Sequence, residues 1–166
     1  LLYIQIVENV NQLRTMWFES PQKRLASWRD FRKGLDVNDL LNTCRNVCEW
    51  WRYAPLSNIS LDPYEIQTWP SVWEMLHRGN YCKFSTAIGM AYTLFYIDEN
   101  IENRIIRVYD QANSDIYMTA LIDGRWLLNY NLTEVAEWSS VKDTLEVQES
   151  FLCTDVVEVT KHNLSA

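Results

Sequence analysis

The sequence predicts an α+β domain, with helices over about residues 8–98 and an antiparallel sheet mainly over about 103–160. Three observations predict it. Apolar residues recur at three- and four-residue steps as far as Phe95, the period falls to two beyond Asn100, and Asp123-Gly124 separates two alternating runs as a hairpin turn. Helices followed by strands make the class α+β rather than a βαβ alternation. At 166 residues, 48% hydrophobic and 22% charged, the chain suits one domain, 1–166, with its own core.

The elements follow in order. Leu1 to Val7 alternates, with β-branched Ile4, Ile6 and Val7, and reads as a short opening strand. Asn9 reads as the N-cap of a helix carrying Val10, Leu13, Met16 and Trp17. Ser20-Pro21 opens a second helix, with Leu25, Trp28 and Phe31 on one face and Gly34 as its stop. Asp36 caps a third, in which Leu40, Leu41, Cys44, Val47, Cys48 and Trp51 form the apolar stripe. Ala54 to Gln67 is turn chemistry, with Pro55, Pro63, Ser57, Asn58 and Asp62. Thr68-Trp69-Pro70 reads as the start of a helix running to Gly79. The central helix begins at or near Cys82 and carries Phe84, Ala87, Ile88, Ala91, Leu94 and Phe95. Strands are expected at Arg104–Tyr109, Ile116–Ile122, Trp126–Tyr130 and Phe151–Thr160.

Composition excludes several functions. Fifteen basic against twenty-two acidic residues give a net charge of −7, the wrong sign for gripping phosphate backbones, so nucleic acid is not the expected partner. The longest apolar segment, Ala87 to Ile97, is too short for a membrane helix. Leu1 to Val7 lacks the parts of a signal peptide, so the expected location is cytoplasmic and the sequons at Asn58, Asn131 and Asn163 read as chance. Cys44 and Cys48 share a helix face but have no second short-spaced ligand pair, so they read as core, and neither cofactor nor metal is expected. Phosphate-loop, His-Glu-x-x-His and EF-hand patterns are absent.

Chemistry concentrates at Gly79-Asn80-Tyr81-Cys82-Lys83-Phe84-Ser85, where a loop delivers a thiol to a helix start. Unpaired N–H groups and the positive end of the helix dipole there favour a thiolate. The bland reading of Cys82 is a small buried hydrophobe closing the junction. Trp50, Trp51 and Tyr53, with Trp69, Trp73, Tyr81 and Tyr117, are candidate partner-binding aromatics, because neighbours on a helix diverge by about 100° and Trp50 and Trp51 cannot both face one core. The alternative is a second small core between the helices and the sheet.

From Thr68 to Asn131 the order of motifs resembles the transglutaminase-like superfamily, a branch of the papain-like cysteine enzymes. Gly79 and Cys82, with two residues between them, stand for its Gly-x-Cys helix start, Asp123-Gly124-Arg125-Trp126 matches its Asp-Gly-Lys-Trp hairpin, and Tyr117 an aromatic position. The resemblance implies a Cys82 nucleophile working with a strand-borne histidine and an oriented Asp or Asn. Counting back from Trp126, however, the histidine position falls on Asp115, and the Asp position falls near Tyr130, flanked by Asn129 and Asn131. His77 and His162 are the chain's two histidines: His77 sits near a helix end and His162 in the polar tail. An ionised Asp115 beside Cys82 would raise the thiol pKa. The candidate catalytic residues are Cys82, Asp115, Asn129 and His77.

The resemblance therefore implies a transglutaminase-like domain with a degenerate triad, a pseudoenzyme that binds or inhibits a basic or amphipathic protein or peptide. One alternative is a Cys82-dependent acyltransferase, amidase or peptidase with an unconventional base. Another is a structural, oligomeric subunit joined through the sheet edge at 151–160.

Overall fold

The computed structural model describes residues 2–58, 60–131 and 134–161. The chain opens with a helix, α1 (Leu2–Met16), and not with a strand. Leu2, Ile6, Val10 and Leu13 fall at helical steps, and this longer period overrides the local alternation. Asn9 therefore lies inside α1. Helix α2 (Pro21–Lys33) starts as expected, with Ser20 accepting from the Lys23 N–H and Pro21 in the first turn, and Gly34 ends it. Helix α3 (Leu40–Arg52) is capped by Asp39 rather than Asp36. Asp36 instead accepts from the Asn38 N–H in the preceding turn, at 2.9 Å.

Helix α4 (Val72–Arg78) begins three residues later than its sequence signal, because Ser71 and Glu74 form a capping box that Thr68 lacks. Helix α5 (Lys83–Phe95) has Cys82 at its N-cap and is buried along most of its length. Strands β1 (Asn103–Asp110), β2 (Asp115–Ile122), β3 (Trp126–Asn131), β4 (Glu134–Glu137) and β5 (Leu145–Leu152) form an antiparallel sheet in the order β4-β3-β2-β1-β5. Asp123 and Gly124, both at positive φ, close the β2–β3 hairpin as expected. A short helix, α6 (Trp138–Val141), leads to β5.

Residues 153–160 form a helix, not a strand. The strand expected at Phe151–Thr160 ends at Leu152, and α7 (Cys153–Lys161) takes over. Cys153, Val156, Val157 and Thr160 are its buried residues, so helical spacing again defeats β-branched propensity. The sheet edge on that side is accordingly β5, at 145–152, with β4 at the other edge.

One face of the sheet, with Ile105, Met118, Ala120, Ile122 and Leu128, joins the helices in the main core, while Ile106, Val108, Leu127 and Leu145 form a smaller core on the other face. Trp50 and Trp51 are 2% and 1% exposed, against the expectation that one would face a groove. The helical splay is real, but α3 is covered on two sides. Trp50 packs on Trp17 and stacks with Phe31, whereas Trp51 lies across α5 at Gly89. A Cβ at position 89 would stand 2.5 Å from the Trp51 ring, so glycine is what lets the two helices close. The indole N–H groups of Trp28 and Trp51 both donate to Thr93 Oγ1, at 3.0 and 2.9 Å, which satisfies two buried donors at one hydroxyl. Among the described residues no helix is long and apolar enough to cross a membrane.

Candidate active site

Cys82 is held by its backbone on both sides. Before it, Tyr81 N–H donates to the Pro55 carbonyl at 3.1 Å and Ser57 N–H to the Tyr81 carbonyl at 2.7 Å, which ties the site to the 55–57 segment. Gly79 ends α4 at φ +67, and a Cβ there would meet the Arg24 guanidinium at 2.8 Å. That buried guanidinium donates to the carbonyls of Leu76 and His77, each at 2.7 Å, and also reaches those of Trp17 and Glu19. One arginine thus satisfies the end of α4 and fixes the turn that feeds Cys82. After Cys82, Ser85 Oγ accepts from the Cys82 N–H at 2.8 Å and donates to the Cys82 carbonyl at 3.1 Å.

Cys82 is 8% exposed. Burial opposes its ionisation, and this is the largest single influence. The Ser85 side chain beside it and hydrogen bonds from the N–H groups of Leu61, Ser85 and Phe84 together outweigh it and hold the thiol below its ordinary value. The Leu61 N–H lies 3.3 Å from Sγ. Cys82 borders a cleft of about 410 Å³ whose wall includes Ser57, Asp62, Thr68, Arg78 and Asn80. Such a nest stabilises a thiolate without a neighbouring imidazole.

The other candidate residues divide. Asn129, in β3 at φ +66, reaches the start of α5, where its side-chain amide donates to the Lys83 carbonyl at 2.9 Å and to the Met118 carbonyl at 3.1 Å. Asp115 also meets the helix start, but through Lys83, whose Nζ lies 3.2 Å away. The Ile116 N–H and Lys83 hold its carboxyl below the usual range. Tyr117 is half-buried beside Tyr130, with ring centroids 5.8 Å apart, and Lys83 Nζ lies 5.8 Å from the Tyr117 ring. His77 faces elsewhere, in a separate hollow with Pro21, Leu25 and Trp73, and does not border the Cys82 cleft. His162 lies outside the described residues.

Of the aromatic candidates, Trp50, Trp51, Trp69 and Tyr81 are buried and offer no surface to a partner, because they pack into the main core. Trp73 and Tyr53 are partly buried against that core. Among the described residues no group of three or more His, Cys, Asp or Glu side chains is placed to hold a metal ion.

Sequence reasoning missed Leu61 and Arg107. Leu61 contributes a backbone group, which no side-chain pattern reveals. Arg107 left a signal: it is a cation on the core-facing side of an alternating strand, two residues from Ile105. Its guanidinium donates to the Pro63 carbonyl at 2.8 Å, two residues from Leu61.

No family model and no curated protein matches the chain. Solved structures do. Calcium-bound Legionella pneumophila LapG aligns over 87% of this chain and 83% of that one, with a TM-score of 0.62 and 16% identity. EGTA-treated LapG aligns over 86% of this chain and 81% of that one, with a TM-score of 0.59 and 16% identity. The fold is transglutaminase-like. At this identity the likeness is one of fold, and it agrees with the helix-start cysteine and the strand order that the sequence motifs suggested.

Proposed function

We propose that this transglutaminase-like domain is a thiol-dependent acyl-transfer site in which Cys82 works as a preformed thiolate rather than through a cysteine–histidine pair. The observation that carries the reading is the Cys82 sulfur at the N-cap of α5, hydrogen-bonded by the Leu61 N–H and open to a cleft. An amide nitrogen must gain a proton as its C–N bond breaks, and a nearby imidazole ordinarily supplies it. A thiolate leaving group needs none. The substrate class that suits the site is therefore a thioester or a comparably activated acyl donor.

In that reaction Sγ attacks the acyl carbon, a new C–S bond forms, and the donor's sulfur leaves with its electron pair as thiolate. An amine or water then attacks the Cys82 thioester, loses a proton to solvent and releases the Cys82 thiolate.

The test is intact-mass spectrometry after incubation with a small acyl thioester, alongside the pH dependence of Cys82 alkylation with iodoacetamide. We expect an acyl adduct on Cys82 that Cys82→Ser abolishes, and a titration below the ordinary thiol value. No adduct, or a titration at about 8.5 or above, overturns the reading.

A second reading keeps the domain as a protein-binding or inhibitory module without turnover. It is favoured by the Lys83–Asp115 ion pair at the strand start where the resembled family carries its histidine. The same acylation assay separates the two readings.

A further inference from the structure

Arg107 is buried, yet its nearest carboxylate, Glu149, is 4.0 Å away and half exposed. Its donors are spent elsewhere. Nη1 donates to the Pro63 carbonyl at 2.8 Å and Nε to Gln148 Oε1 at 3.3 Å, and Cζ sits 4.3 Å from the centroid of the Tyr64 ring. Burying a cation against a carbonyl and a ring is costly unless the geometry serves something. What it holds is the 61–64 segment, which is also braced by Tyr64 N–H on Asp62 Oδ1 and Trp69 Nε1 on the Asp62 carbonyl, each at 2.8 Å. That segment carries the Leu61 N–H to Sγ.

We propose that Arg107 is a positioning residue for Cys82: it clamps the 61–64 segment to the sheet so that the Leu61 N–H stays on the sulfur. The inference rests on the reading of Cys82 as a thiolate site. It assigns to a residue 25 positions along the chain, with no contact to the sulfur, part of the stabilisation of the reactive form. A guanidinium suits the task because its planar fork reaches the carbonyl, the amide of Gln148 and the ring face together, which a single ammonium head cannot do.

The test compares the pH profile of Cys82 alkylation in the wild-type chain, Arg107→Lys, Arg107→Gln and Tyr64→Ala, with Cys44, Cys48 and Cys153 mapped in the same digests as reporters of an intact core. The charged groups near the sulfur, Asp62 and Arg78 on the cleft wall and the Lys83–Asp115 pair at the helix start, are the same in all four proteins. Both Arg107 variants are expected to slow Cys82 alkylation near neutral pH by about tenfold, through a raised titration midpoint, and Tyr64→Ala by about threefold. An unshifted profile in Arg107→Lys with the three other thiols still protected overturns the proposal. A shift confined to Arg107→Gln does so too, because it assigns the effect to charge. Should both Arg107 variants expose the core thiols, Tyr64→Ala decides, since its ring is largely exposed: a shift in the same direction supports the clamp, and none overturns it. A wild-type Cys82 that titrates at the ordinary value removes the thiolate reading itself, an outcome distinct from failure of the clamp.

Discussion

Cys48 in α3 and Cys82 at the head of α5 expose similarly little surface, 6% and 8%, though Cys48 lies deeper in the protein, and their thiols are driven in opposite directions. Burial pushes Cys48 up to about 12, against a single N–H from Asn129 and with Glu49 adding to the rise. Cys44 and Cys153 are likewise pushed up to about 12 by burial. At Cys82 the penalty of burial is present as well, but several donors converge on the sulfur from the first turn of α5 and from Leu61. Depth alone does not decide whether a buried thiol ionises. Donors that reach the sulfur count as well: Cys153 also heads a helix, α7, yet burial pushes it up, so a helix start lowers a thiol only where its N–H groups, with a loop N–H such as that of Leu61, are aimed at the sulfur.

The strongest way to sharpen this comparison is alkaline unfolding. The folded chain keeps Cys44, Cys48 and Cys153 protonated to about 12, whereas the unfolded chain releases those protons near 9.0. Between these values the unfolded state binds fewer protons, so stability falls as pH rises, by up to about 4 kcal/mol per pH unit for three such thiols. Cys82 has the opposite sign: its contribution is present above the ordinary thiol value and is lost as pH falls through its own depressed one. Denaturant melts at pH 8, 9.5 and 10.5 are expected to show a steep decline that Cys44→Ala or Cys153→Ala makes shallower. A flat profile would mean that the sheltered thiols ionise without unfolding.

A second test separates the two regions mechanically. Gly89→Ala places a methyl 2.5 Å from the Trp51 ring and must push α3 away from α5, at a cost of about 1–3 kcal/mol. Cys44 and Cys48 ride on α3, while Cys82 is anchored at the far end of α5 by Ser85 and Leu61. The variant is therefore expected to melt earlier and to alkylate faster at Cys44 and Cys48, with the Cys82 profile unchanged. Equal changes at all three thiols would show that the Cys82 nest depends on the main core as a whole.

What the sequence revealed and what it hid follow the range of the interactions. Helix α2, the Asp123-Gly124 hairpin and the Cys82 helix start are set by neighbours in sequence, and they were legible. Residues 2–7 and 153–160 were misread because β-branched residues spoke for strands while helical spacing decided the outcome, and in 153–160 that spacing turns Cys153, Val156, Val157 and Thr160 into the core. The aromatic residues at 50 and 51 were misread because a sequence does not show that α3 is covered on two sides. At the site, the thiol's place at a helix start was legible, and the structure brings Asn129 to that same helix start. The Leu61 N–H and the Arg107 clamp were not legible, because they close contacts across 21 and 44 residues.

The smallest expected effect is at Asp115, and it is informative because it is small. If neutral donors alone set the Cys82 thiolate, a carboxylate at the same helix start should matter little. Asp115 is 48% exposed at its side chain and already engaged by Lys83 and by the Ile116 N–H, so solvent and partner screen its charge. Its depressed carboxyl adds stability above the ordinary carboxylate range, lost only as pH falls through its folded value, far from the window in which Cys82 titrates. Asp115→Asn is thus expected to leave the neutral-pH melt almost unmoved and Cys82 alkylation within about twofold of wild type. A large acceleration would show that the carboxylate represses the thiolate, and that the strand position matching the family's histidine still acts on the sulfur.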